Sequence, residues 1–151
     1  MPLKQENQRN NLNKIFFLLI HSIQILLIFA LSILSYLSDK KAGVNHHMIY
    51  MSYKYKEGIY SPLSLKIQSI IIVLIVILLL QSLLKSRRRL IKEAFSFNNM
   101  MAIIIGVFLL LIINFSFFKS MIAYVYFVMV FEIVFALQIL IILINKMLGN
   151  S

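Results

Sequence analysis

Four long apolar stretches, at residues 15–37, 65–84, 100–118 and 121–144, restrict what this chain can fold into more than any other feature. A helix rises 1.5 Å per residue, so about 20 residues cross roughly 30 Å of hydrocarbon. Each stretch therefore has the length of one crossing. Hydrophobic residues make up 61% of the chain and charged ones only 13%, the latter gathered in clusters between the apolar stretches. Soluble domains are nearer half apolar and spread their charges over a solvated surface. The expected fold class is all-α: an integral membrane bundle of four transmembrane helices, with residues 1–151 forming a single membrane domain. Multi-pass placement in the cell membrane follows as the expected localisation.

The ends of the spans carry local signals. Ser61 followed by Pro62 sets a cap residue before a proline at the first helical position, where its missing N–H costs no helix bond. Lys66 lies close to that end, where its stem can run along lipid while its ammonium reaches the headgroups. Only Lys119 and Ser120 separate the third and fourth stretches. A single helix through both would be about twice as long as a bilayer is thick, so a tight hairpin near residues 114–120 is expected. The first stretch is longer than a usual signal-peptide core, and no small-x-small cleavage site precedes Asp39, so this helix is expected to be retained.

Positive residues beside a span tend to stay on the cytoplasmic side. With four spans, the N-terminus, the loop at 85–99 and the C-terminus share one face. That face carries Lys4, Arg9, Lys14, Lys85, Arg87, Arg88, Arg89, Lys92 and Lys146, against Lys40, Lys41, Lys54, Lys56, Lys66 and Lys119 on the other. Both termini are thus expected in the cytoplasm, with residues 38–61 as an extracytoplasmic loop. The net charge of +10 points to membrane topology and not to nucleic acid, because its densest cluster runs straight on from the second span. Lys85, Arg87, Arg88, Arg89 and Lys92 are candidates for contact with anionic lipid headgroups, each worth on the order of 1 kcal/mol.

Between Gly43 and Gly58, residues Ile49, Met51, Tyr53 and Tyr55 alternate with Tyr50, Ser52, Lys54 and Lys56. Period-two alternation suggests a short half-buried strand, while the tyrosines equally suit a flap resting at the membrane interface. His46 and His47 are adjacent and point in different directions in either case. With no cysteine and only Asp39 and Glu57 nearby, no metal site is expected, since such sites converge three or four ligands.

Polar residues inside the spans are the informative ones. At about 100 degrees per residue, His21, Gln24, Ser32 and Ser35 fall in one arc of the first helix, a face suited to pairing within the bundle. Glu132 is the only acidic residue in any span and sits near the middle of its apolar stretch. An unpartnered acid there costs about 2.5–3.5 kcal/mol on insertion scales, so it must be protonated, paired or wet. Counting depth along antiparallel helices puts Gln24 level with Glu132, and His21 further along, near Gln138. Glu132, His21, Gln24 and Gln138 are therefore the candidate buried polar or proton-binding residues.

The chain has no HExxH pair, no phosphate-cradling glycine loop and no GxSxG elbow, and too few acids to hold a catalytic divalent ion. It is expected not to be an enzyme and to use no cofactor. The leading functional expectation is a small membrane protein of accessory, scaffold or immunity type, acting through contacts with another membrane component; the expected partners are the lipid bilayer and either a membrane-protein partner or further copies of the chain in a homo-oligomer. The alternative is an oligomeric proton-coupled transporter of small molecules using Glu132. Small four-span carriers that work as dimers are similar in size and in having one membrane glutamate, although the glutamate here lies in the last span and no motif around it matches theirs.

Overall fold

The computed structural model describes the backbone of residues 2–87 and 93–149, and side chains over residues 15–84 and 97–147. Helices follow in the order α1 (Pro2–Lys40), α2 (Ala42–Glu57), α3 (Pro62–Arg87), α4 (Glu93–Asn114), α5 (Ser116–Lys119) and α6 (Tyr124–Gly149), with no strand among the described residues. Four of them are long and apolar enough to cross a membrane, over Ile15–Lys40, Pro62–Leu84, Phe97–Asn114 and Tyr124–Met147. The chain is thus an all-α, four-helix bundle of a multi-pass membrane protein. The basic cluster at Arg88, Arg89 and Lys92 lies outside the described residues, as do the side chains of Lys85 and Arg87.

α6 packs against both α1 and α4, and α3 packs against α4. The inner pair is accordingly more enclosed, with 33% of the α4 and α6 spans buried against 17% for α1 and 11% for α3. Isoleucine, leucine and phenylalanine cover the remaining surface of the outer helices, which suits lipid as solvent. On α4 the buried positions Asn99, Ala102, Gly106, Leu109 and Ile113 alternate in steps of three and four, the spacing of one helix face turned toward its neighbours. Two of those residues are small, which lets backbones approach closely where lipid provides no hydrophobic drive to associate. Gly106 is the tightest point: a Cβ there would lie 2.7 Å from Val76 Cγ2 of α3 and 2.9 Å from Phe135 Cε2 of α6.

The connections are tied by side chains. Only Lys41 separates α1 from α2, and the Asn45 amide donates to the Ser38 carbonyl at 3.1 Å, satisfying a terminal acceptor of α1. Ser61 caps α3 as its sequence suggests, its hydroxyl accepting from the Ser64 N–H at 3.3 Å. The hairpin between the last two spans is wider than two residues. α4 stops at Asn114, and α5 and a turn carry the chain to Tyr124, so residues 115–123 belong to neither span. The Tyr124 hydroxyl closes it by donating to the Ile113 carbonyl at 3.3 Å. Phe118 packs edge-on to Phe108 of α4 and tilted against Phe127 of α6.

Residues 42–57 form a helix, α2, and not the strand that their alternation suggests. The inward positions explain the difference. Met48 and Ser52 are buried and Tyr55 is half-buried, a spacing of four and then three that fits a helix. The alternation of tyrosine with lysine falls across this face, so Tyr53, Lys54 and Lys56 are exposed and Tyr55 alone of the four turns inward. α2 packs on α1 and α6, closing one end of the bundle.

Candidate functional site

Polar groups inside the spans form two separate clusters. The first holds α1, α6 and α4 together. Gln24 is 6% exposed, and its Nε2 donates both to the Val134 carbonyl at 3.2 Å and to Gln138 Oε1 at 3.1 Å. Gln138 is 1% exposed, and its own Nε2 donates to the Asn98 carbonyl of α4 at 3.2 Å. One glutamine pair thus links three helices through a relay in which each amide spends its donors on a carbonyl. Beside it, Asn99 is fully buried with neither amide atom hydrogen-bonded among the described residues.

The second cluster surrounds Glu132, eight residues and so about 12 Å along α6 from Tyr124. Its Oε2 accepts from the Tyr60 hydroxyl at 3.0 Å. Tyr60 sits in the turn between α2 and α3, where its backbone N–H donates to the Tyr55 carbonyl at 3.0 Å, and its ring stacks edge-on to Tyr55. Tyr55 in turn meets Tyr126 of α6 edge-on at 6.3 Å. The turn is pinned above the carboxyl group by these aromatic contacts, and Tyr60 itself is only 7% exposed. Burial, then the adjacent Glu132 carboxyl, then Tyr55 push the Tyr60 phenol well above the usual tyrosine range. It therefore keeps its proton and stays a donor at every physiological pH.

Three of the four candidate residues read from sequence divide between these clusters, and His21 joins neither. Gln24 and Gln138 meet each other. Glu132 meets neither Gln24 nor His21; its partner among the described residues is Tyr60. Counting depth misplaces Gln24 by about one helical turn, since it lies level with Val134 and Gln138. The buried positions Ile20, Gln24, Leu31 and Ser38 define the inner face of α1. At 100 degrees per residue, this face is rotated by roughly 60 degrees from the centre of the His21–Gln24–Ser32–Ser35 arc. Gln24 falls on the shared edge. His21 is half-buried, with its Nδ1 2.9 Å from the Phe17 carbonyl, and Ser32 is exposed and donates to the Ile28 carbonyl of its own helix. Both spend their polarity along α1. His46 and His47 are exposed on α2, and among the described residues no three metal-ligating side chains converge.

Tyr60 was not distinguishable by sequence, because it lies outside every apolar stretch and 72 residues from its partner. It also lines a cleft of about 610 Å³ at the α2 end of the bundle, between α3 and the α4–α5–α6 hairpin. Tyr124, Asn114 and three lysines share that lining. The carboxyl of Glu132 and the cleft are thus in contact with the same side chain. No protein family, no curated protein and no solved structure matches the chain, so any function has to be read from this geometry alone.

Proposed function

We propose that the protein is an accessory or scaffold component of the cell membrane, of the kind that acts by contact with another membrane protein, as immunity-type proteins do. The observation that carries this reading is that the intramembrane side chains Gln24, Gln138 and Glu132 are each bonded to another element of the same chain. Polar groups used in this way fix helix register and orientation. A transport path through these three groups would instead require them to be free to bind and release a substrate; the buried span atoms left unbonded among the described residues are the Asn99 amide and Gln68 Oε1. Exposed apolar side chains along α1 and α3 offer a partner helix a surface to pack on.

The same reading puts both termini and the basic residues 85–92 in the cytoplasm and α2 on the opposite side, on the bias of lysine and arginine between the two faces. Sizing the tagged chain after mild-detergent extraction from its own membrane tests the function. A complex with a second membrane protein in fixed stoichiometry is expected, and a lone chain or a homo-oligomer contradicts it.

One observation favours a second reading, proton-coupled transport: Tyr60 connects Glu132 to the cleft at the α2 end. Proton flux in liposomes under a pH gradient separates the two. Flux that is lost in Glu132→Gln supports transport, whereas absent flux, or flux unchanged by that substitution, removes it.

A further inference from the structure

We infer that the cleft at the α2 end is a binding site for one anionic phospholipid of the adjoining leaflet, its phosphate held by Lys56, Lys66 and Lys119 and an acyl chain lying along Leu65, Ile70 and Ile113. The three lysines come from three different elements: the last turn of α2, the first turns of α3 and the end of α5. Their meeting on one cleft is a product of the tertiary fold, since 53 residues of sequence separate Lys66 from Lys119. All three are exposed, and no acidic side chain lines the cleft. Glu132, the acid on the far side of Tyr60, is already engaged by that tyrosine's hydroxyl.

Charge alone would describe any interfacial lysine, whose ammonium rises to the headgroups while its stem covers apolar surface. The cleft adds shape. Its volume of about 610 Å³ lies within the usual range of built ligand sites, which are mainly apolar with a few convergent polar groups. Lys66 starts only four residues into α3, so about 6 Å below the helix end, and Ile70 continues the same face one turn deeper into the hydrocarbon. A lysine above and an isoleucine below on one helix reproduce the order of phosphate and acyl chain in a lipid. The hydroxyls of Tyr60 and Tyr124, which also line the cleft, are committed to Glu132 and to the Ile113 carbonyl, so they donate to groups inside the protein. This site lies at the N-terminal end of α3, away from Arg87 at that helix's other end.

An electrostatic gain of about fivefold per lysine near a charged surface gives three lysines a preference on the order of a hundredfold for an anionic over a zwitterionic lipid, reduced by screening to roughly tenfold or more. Native mass spectrometry of the full chain, titrated in detergent with short-chain phosphatidylglycerol or phosphatidylcholine, reads this directly as the fraction carrying one lipid. The wild type is expected to retain one phosphatidylglycerol and to lose that preference in the triple variant Lys56→Gln, Lys66→Gln, Lys119→Gln. A control with equal charge loss on the same face, Lys40→Gln, Lys41→Gln, Lys54→Gln, is expected to keep it. Ile70→Trp, which fills the acyl seat without changing charge, is expected to weaken retention, and helical circular dichroism checks that each variant is folded. Equal retention by the triple and control variants overturns the site. So does equal retention of the two lipids. Displacement of the lipid by millimolar inorganic phosphate would instead mean a phosphate site without an acyl seat, and would overturn the lipid assignment.

Discussion

Replacing Tyr60 by Phe removes one hydroxyl and keeps the ring that packs on Tyr55, so it isolates the 3.0 Å bond to Glu132. Hydrogen bonds between membrane-embedded groups average about 0.6 kcal/mol by double-mutant cycle and reach about 1.7 kcal/mol. Bonds to a charged or strongly polar acceptor in a buried site lie at about 1.5–3 kcal/mol. Tyr60 is 7% exposed, so little water is at hand to replace its hydroxyl, and the coupling is expected toward the upper end, at about 1–2 kcal/mol. The cycle pairs Tyr60→Phe with Glu132→Leu. The first leaves an unpartnered carboxyl and destabilises. The second leaves an unpartnered phenol but also removes an acid costing about 2.5–3.5 kcal/mol to insert, so its own sign is set by that relief. The double variant leaves neither group alone, and its loss is smaller than the sum of the singles. Reversible unfolding by denaturing detergent in mixed micelles measures all four corners. Additive effects, with a coupling within about 0.3 kcal/mol of zero, would refute the pairing.

Three further outcomes follow from the packing. Gly106→Leu is expected to separate α3, α4 and α6, because Val76 and the Phe135 ring already occupy the space of a Cβ, and the β-branched valine has one favoured rotamer on a helix; Gly106→Ala costs about 1–3 kcal/mol in the same unfolding assay, and a neutral result for both contradicts the close approach. Gln138→Leu takes from the buried Gln24 amide one of its two acceptors, leaving the Val134 carbonyl, and costs about 1–3 kcal/mol, whereas Gln24→Leu with Gln138→Leu recovers most of that loss, and an equally unstable double variant would show that the pair is not a unit. The Tyr60 phenol has a folded-state pKa raised above the ordinary tyrosine value of about 10, so its contribution to stability is complete below pH 10 and fades as pH rises toward the folded value. The unfolding midpoint of the wild type should therefore fall more steeply above pH 10 than that of Tyr60→Phe, and parallel slopes would contradict the raised value.

The legibility of this fold in its sequence follows from the range of the forces involved. Spans were readable because lipid imposes a length on every apolar run, and the start of α3 because Ser61 and Pro62 act within one turn. The helix at residues 42–57 was not, since a strand and a helix of tyrosines and lysines differ only in which three residues face inward, and Met48, Ser52 and Tyr55 are chosen by packing on α1 and α6. Glu132 was identifiable as a costly group needing a partner. Its partner was not, because Tyr60 reaches it from a turn that no periodicity locates. The Gln24–Gln138 pair was missed by one turn, because depth counted from apolar boundaries ignores where each helix starts, and the last span opens at Tyr124 and not three residues earlier. The lysine cleft depends on three elements meeting at one end, and no local pattern encodes that.

The most direct test of a four-span chain with its termini in the cytoplasm uses the absence of native cysteine. Gly43, exposed at the start of α2 with no atom within 4 Å of a Cβ placed there, accepts cysteine without strain. In intact cells, a membrane-impermeant maleimide should label Gly43→Cys at once and Ser151→Cys only after permeabilisation. Labelling of Ser151→Cys in intact cells, or protection of Gly43→Cys, would mean a different number of crossings or the opposite orientation.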